Sequence, residues 1–171
     1  NAILALLTVG IPTLALAIWA RPERAPPSLL RSVGGFIFPA AFTVAVLALV
    51  VYLVYLQATD DLDVARTAVT TTTVLCGLML IPFVEPPTPS WVGGDEFSGD
   101  KRPTALALVM LALFGVIMFV PSLRESFELV FLRPLDYALI ALAVLLWAIV
   151  LRLIWRRRLF EWWLGIESVQ R

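Results

Sequence analysis

The chain has 171 residues, of which 60% are hydrophobic and only 15% charged, with thirteen basic and thirteen acidic side chains and a mean hydropathy of +0.91. A soluble domain carries about a quarter charged residues, so this composition excludes an ordinary water-soluble globule and indicates a polytopic membrane protein. The balanced charge offers no footprint for nucleic acid, the lone Cys76 no disulfide framework, and the absence of histidine removes the usual proton relay and the commonest metal ligand.

The chain has no initiator Met and opens inside a hydrophobic run without a recognisable signal peptide, as expected of a piece of a longer or processed polypeptide. A membrane helix needs roughly 20 mostly apolar residues. Five runs qualify, at 2–19, 34–56, 64–84, 104–120 and 137–155, and none alternates apolar with polar as a barrel strand would. The expected fold is therefore an all-α bundle of five spans in a single transmembrane domain.

The first run contains Gly10 and Pro12. Pro12 has no N–H for the carbonyl of Thr8, and Gly10 eases unwinding. The freed carbonyl and the Thr8 hydroxyl together form a candidate metal-facing group; the simpler reading is a packing kink. Gly34, Gly35 and Pro39 open the second run, where a close helix crossing or a hinge is expected. The third run carries Thr70, Thr71, Thr72 and Thr73, which wrap a full turn, so that some must face other helices as packing glue or as pathway polar groups. Arg66 lies near its end, able to snorkel, and Pro82 frees the carbonyl of Leu78.

Between the third and fourth runs, Pro86, Pro87, Pro89 and Pro103 with Gly93, Gly94 and Gly99 predict an irregular loop. Between the fourth and fifth, residues 122–136 place Leu123, Phe127, Val130 and Phe131 at helical spacing, which predicts a short interfacial helix. The tail 156–171 joins Arg156, Arg157 and Arg158 to Trp162 and Trp163, a pattern suited to the lipid headgroup level. Ten of the thirteen basic residues fall on one side of this topology; only Arg66, Arg124 and Arg133 fall on the other. The rich side should be cytoplasmic, with the N-terminus outside and the C-terminus inside. Asp60, Asp61, Asp63, Glu125, Glu128 and Asp136 then lie on the outer side. No acidic residue falls in the middle of a run, so the chain by itself should be neither a proton pump nor a carboxylate cation site, and it has no phosphate-binding loop for ATP.

The order of these features resembles the C-terminal membrane part of type II P-type cation ATPases. "TVGIPTLALAIWARPE" resembles their sixth membrane helix, and "PPSLLRSVGGFIFPAA" the link into the seventh. "DVARTAVTTTTVLCGL" is similar to the opening of the eighth, and "VPSLRESFELVFLRPLDYALIALAVLLW" to the outer loop and tenth. The residue before Gly10 resembles the branch that includes bacterial calcium-pump-like proteins.

The resemblance implies helices six to ten of an ATP-driven pump working through an aspartyl-phosphate, in a bacterial plasma membrane. ATP and Mg would be bound by cytoplasmic domains outside this chain, which itself binds no cofactor, and the transported cation would be Ca or a similar ion. The partners would be membrane lipid and the remaining helices and domains of the pump. Two departures stand out. Where calcium pumps place an Asn and an Asp ligand in the sixth helix, this chain aligns Ala5 and Val9, and Gly77 stands where the eighth often has an acid or amide. Two other readings follow from the residues: a stand-alone structural subunit of a larger membrane complex, and an independent small channel or carrier.

Overall fold

The computed structural model describes residues 6–19, 29–81 and 102–156, and every regular element among them is helical. A single π-wound turn, Leu6–Gly10, leads into α1, Ile11–Trp19. Two long helices follow, α2 at Leu29–Thr59 and α3 at Leu62–Leu80. Then come α4 at Arg102–Phe119, the short α5 at Pro121–Ser126, and α6 at Pro134–Arg156. The expected loop at 85–103 lies outside the described residues except for its last two, and so does the tail beyond Arg156.

Among the described residues, three helices are long and apolar enough to cross a membrane: Ile37–Thr59 within α2, Arg102–Phe119, and Pro134–Ile154 within α6. They correspond to the second, fourth and fifth expected spans. In each, between 17% and 28% of the apolar window is buried within the protein. Their outward faces are Leu, Val, Ile and Phe, such as Phe42, Leu49, Leu108 and Leu146, as a hydrocarbon solvent requires.

The helix α3 has the opposite character. It is the least apolar of the long helices, and nine of its residues are buried, including Thr67, Thr70, Thr71 and Thr72. It packs against α2, α4, α6 and the π turn, so protein rather than lipid surrounds it. A helix in that position needs small, closely approaching side chains more than it needs hydrophobicity. Ala65, Ala68 and Cys76 have no exposed surface, and they supply that close approach.

Two apolar clusters flank α3. On one side Val74, Leu78 and Ile81 meet Met110, Phe114, Ile117 and Met118 of α4, with Leu129 closing the end and Ile11 packed against the group. On the other, Ala68 and Cys76 meet Val51 of α2 and Ile140, Val144, Trp147 and Leu151 of α6.

The α2–α3 connection is two residues long. Asp60 adopts a left-handed φ of 51°, which Asp tolerates better than most residues. Asp61 caps α3 by accepting the N–H groups of Asp63 at 2.8 Å and Val64 at 3.3 Å. So short a link forces α2 and α3 into an antiparallel hairpin.

The helix expected within residues 122–136 is shorter than its apolar spacing suggested. It ends at Ser126, and Glu128 takes a positive φ of 55° that no helix continues through. Phe127 caps the helix, and Val130 and Phe131 lie in irregular backbone leading to α6. Tertiary contacts override the periodicity here. The Val130 N–H is donated to Thr67 Oγ1, and Phe131 sits between Phe119 and Tyr137 with ring centroids 6.0 and 5.9 Å away. Arg124 lies over the Phe131 ring at 5.7 Å.

Candidate functional site

Among the described residues, two places gather polar groups within apolar surroundings. One is the broken start of the chain where it meets α3. The other is the end of the bundle where α2, α3 and α6 converge.

At the first, the break is a π turn. A π turn pairs each carbonyl with the N–H five residues on rather than four, and such turns are frequent at functional sites. In that register the counterpart of Thr8 is Thr13, so the missing N–H of Pro12 does not by itself leave the Thr8 carbonyl free. The Thr13 hydroxyl, which the motif reading passed over, donates to the Val9 carbonyl at 2.6 Å and lies 3.1 Å from that of Gly10. Two carbonyls of the break are thus covered from within the helix. Pro12 is buried, Ile11 packs on the α3–α4 cluster, and the π turn touches α3. The side chain of Thr8 lies outside the described residues.

The four threonines of α3 do not act alike. Thr72 donates to the Ala68 carbonyl at 2.8 Å, and Thr73 to that of Val69 at 2.8 Å, with the Thr70 carbonyl 3.0 Å away. These back-bonds satisfy hydroxyls without any outside partner. Thr70 is buried and engaged. Thr71 differs: it is 2% exposed, and its Oγ1 has no hydrogen-bond partner among the described residues. Thr67, outside the predicted quartet, accepts the Val130 N–H at 3.0 Å and ties α3 to the segment before α6. Its signal was available in the sequence, since it lies one turn before Thr71 on the same face.

The second place is framed by Tyr55, Asp61, Arg133 and Asp136. Tyr55 donates its hydroxyl to Asp136 Oδ1 at 3.3 Å, joining α2 to α6. Asp136 Oδ2 accepts the Arg133 N–H at 3.0 Å and so caps α6. Further along, Trp147 Nε1 donates to Thr43 Oγ1 at 3.0 Å, and the Thr43 hydroxyl donates to the Pro39 carbonyl at 2.7 Å. The ion pair of Arg66 with Asp63 at 3.9 Å is two-thirds exposed on both sides and adds little to stability.

Among the described residues, no group of three or more Cys, Asp or Glu side chains is placed to hold a metal ion. A hard cation here would depend on carbonyl and hydroxyl oxygens. Compared with known proteins, the chain matches no family model, no curated relative and no solved structure.

Proposed function

We propose that this chain is the membrane part of an ATP-driven cation pump of the type II P-type class. In this reading its five spans are the resemblance's helices six to ten, with the basic-rich side cytoplasmic. The chain supports the ion pathway rather than supplying its charged ligands. The observation that carries the reading is the π-wound break at Leu6–Gly10, followed by buried Pro12 and lodged against the threonine-rich α3. A packing kink alone needs neither a widened helical turn nor a buried, unpartnered hydroxyl on the helix it meets. In this reading the oxygens of Thr8 and the unpartnered Thr71 hydroxyl of α3 are the groups the chain offers, and acids from other helices of the pump would complete a cation site. The cation proposed is Ca or a similar hard ion, with ATP and Mg bound elsewhere in the polypeptide.

The test is made in the polypeptide as it occurs, flanking sequence included. Pro12→Ala or Thr8→Val should lower ion-stimulated ATP hydrolysis by roughly tenfold, equivalent to about 1.4 kcal/mol. Unchanged ion dependence in both variants contradicts a pathway role for the break.

A second reading is a structural membrane subunit. The back-bonding of Thr72 and Thr73 favours it, because those hydroxyls are spent on their own helix. Under that reading both substitutions would alter stability and leave any transport unaffected.

A further inference from the structure

A groove of about 640 Å³ runs between α2 and α6, within the range of roughly 300–1,000 Å³ typical of small-molecule clefts. Its floor is Val51, Ile140 and Leu132, all buried in the core. Its walls are exposed Val50, Val54 and Leu139, and along α2 it extends from Ala58 to Leu47. At 1.5 Å per residue that run is about 16 Å long. A bilayer core is about 30 Å thick, so the groove reaches through one leaflet and stops.

All its polar groups lie at one end. They are Tyr55, Thr59 and Asp61 on the α2–α3 side, and Arg133 and Asp136 on the α6 side, with the Tyr55 hydroxyl bonded to Asp136. The two carboxylates are partly committed: Asp136 holds Tyr55 and the Arg133 N–H, and both N–H groups that Asp61 accepts fall on Oδ1. Asp61 Oδ2 keeps accepting capacity. Arg133 is exposed and makes no ion pair among the described residues.

We infer that this groove holds one acyl chain of a phospholipid whose headgroup is zwitterionic and carries a primary amine. The tail lies along Val50, Val54 and Leu139, the phosphate meets the Arg133 guanidinium, and the ammonium meets the Asp61 carboxylate. Depth selects a lipid over a protein helix, because a spanning helix would need contact over both leaflets. Charge selects the headgroup. A purely anionic one would satisfy Arg133 but face two carboxylates, whereas an amine-bearing one is complementary to both signs. The inference requires only that the helices span a membrane and is independent of any pump activity.

The experiment is native mass spectrometry of the whole polypeptide released from bilayers of equal phosphatidylethanolamine and phosphatidylglycerol. Phosphatidylethanolamine should be retained over phosphatidylglycerol by roughly tenfold. Arg133→Gln should lower its retention about as much, and Val54→Trp, at an exposed wall position, should abolish it. Equal retention of the two lipids would overturn the inference. So would retention unchanged by Val54→Trp, or a photo-crosslinker at Val54 that captures another polypeptide instead of lipid.

Discussion

Thr67 Oγ1 accepts the backbone N–H of Val130 from 3.0 Å, across 63 residues of sequence. This bond joins the most enclosed helix of the bundle to the irregular segment that feeds α6. Thr67 has no exposed surface, so water cannot replace it as acceptor. Thr67→Val keeps the shape and removes the acceptor, leaving the Val130 N–H without a partner. The expected cost is about 1–3 kcal/mol, read as a lower midpoint of detergent-driven unfolding. Thr67→Ser should recover most of it, because the oxygen is restored.

Thr71, one turn along, predicts the reverse sign. Its buried hydroxyl has no hydrogen-bond partner among the described residues, so it carries a desolvation cost without compensation. Thr71→Val should stabilise the isolated chain by about 1 kcal/mol. If the pump reading holds, the same substitution should weaken ion-stimulated turnover in the whole polypeptide. Stability and activity would then move in opposite directions, a signature that packing alone does not produce.

The Trp147–Thr43 pair tests the α2–α6 contact. Thr43→Val strands the buried indole N–H at no change of volume. The unfolding midpoint should fall by the equivalent of about 1–2 kcal/mol, near the upper end for hydrogen bonds between membrane helices. Trp147→Phe in the Thr43→Val background should cost little further through hydrogen bonding, because both partners are already gone. A double-mutant cycle that shows no coupling would count against the bond.

Much of the helical frame could be read from the sequence because the signal is composition over long windows. The runs at 34–56, 104–120 and 137–155 coincide with the three described helices long and apolar enough to cross a membrane, and a lipid solvent selects apolar residues at nearly every outward position. The start of α3 and the segment before α6 lie at one end of the bundle, since Tyr55 reaches Asp136 and Thr67 reaches Val130. A third span was expected at 64–84, but α3 is not among the described helices apolar enough to cross a membrane, because its partners are protein and its Thr, Ala and Gly content lowers its hydropathy. The π winding at Leu6–Gly10 left only the hint of Gly10 and Pro12, and the covering role of Thr13 depends on a turn geometry that spacing does not encode. Of the threonine quartet at least one was expected to face other helices, and Thr70, Thr71 and Thr72 are buried. Which hydroxyl would bond back, which would be engaged and which would be stranded depends on rotations about one helix axis, fixed only by its neighbours. The length of α5 was overestimated because apolar spacing at Leu123, Phe127, Val130 and Phe131 is equally well met by side chains folding onto Phe119, Tyr137 and Thr67.

The most direct test of the central claim is peptide mapping and intact mass of the native polypeptide that carries this sequence. The pump reading predicts a mass several times the 18.9 kDa of this chain, with an upstream peptide containing Asp-Lys-Thr-Gly-Thr. A native mass close to 18.9 kDa with no such peptide would contradict it and leave a structural membrane subunit built around α3.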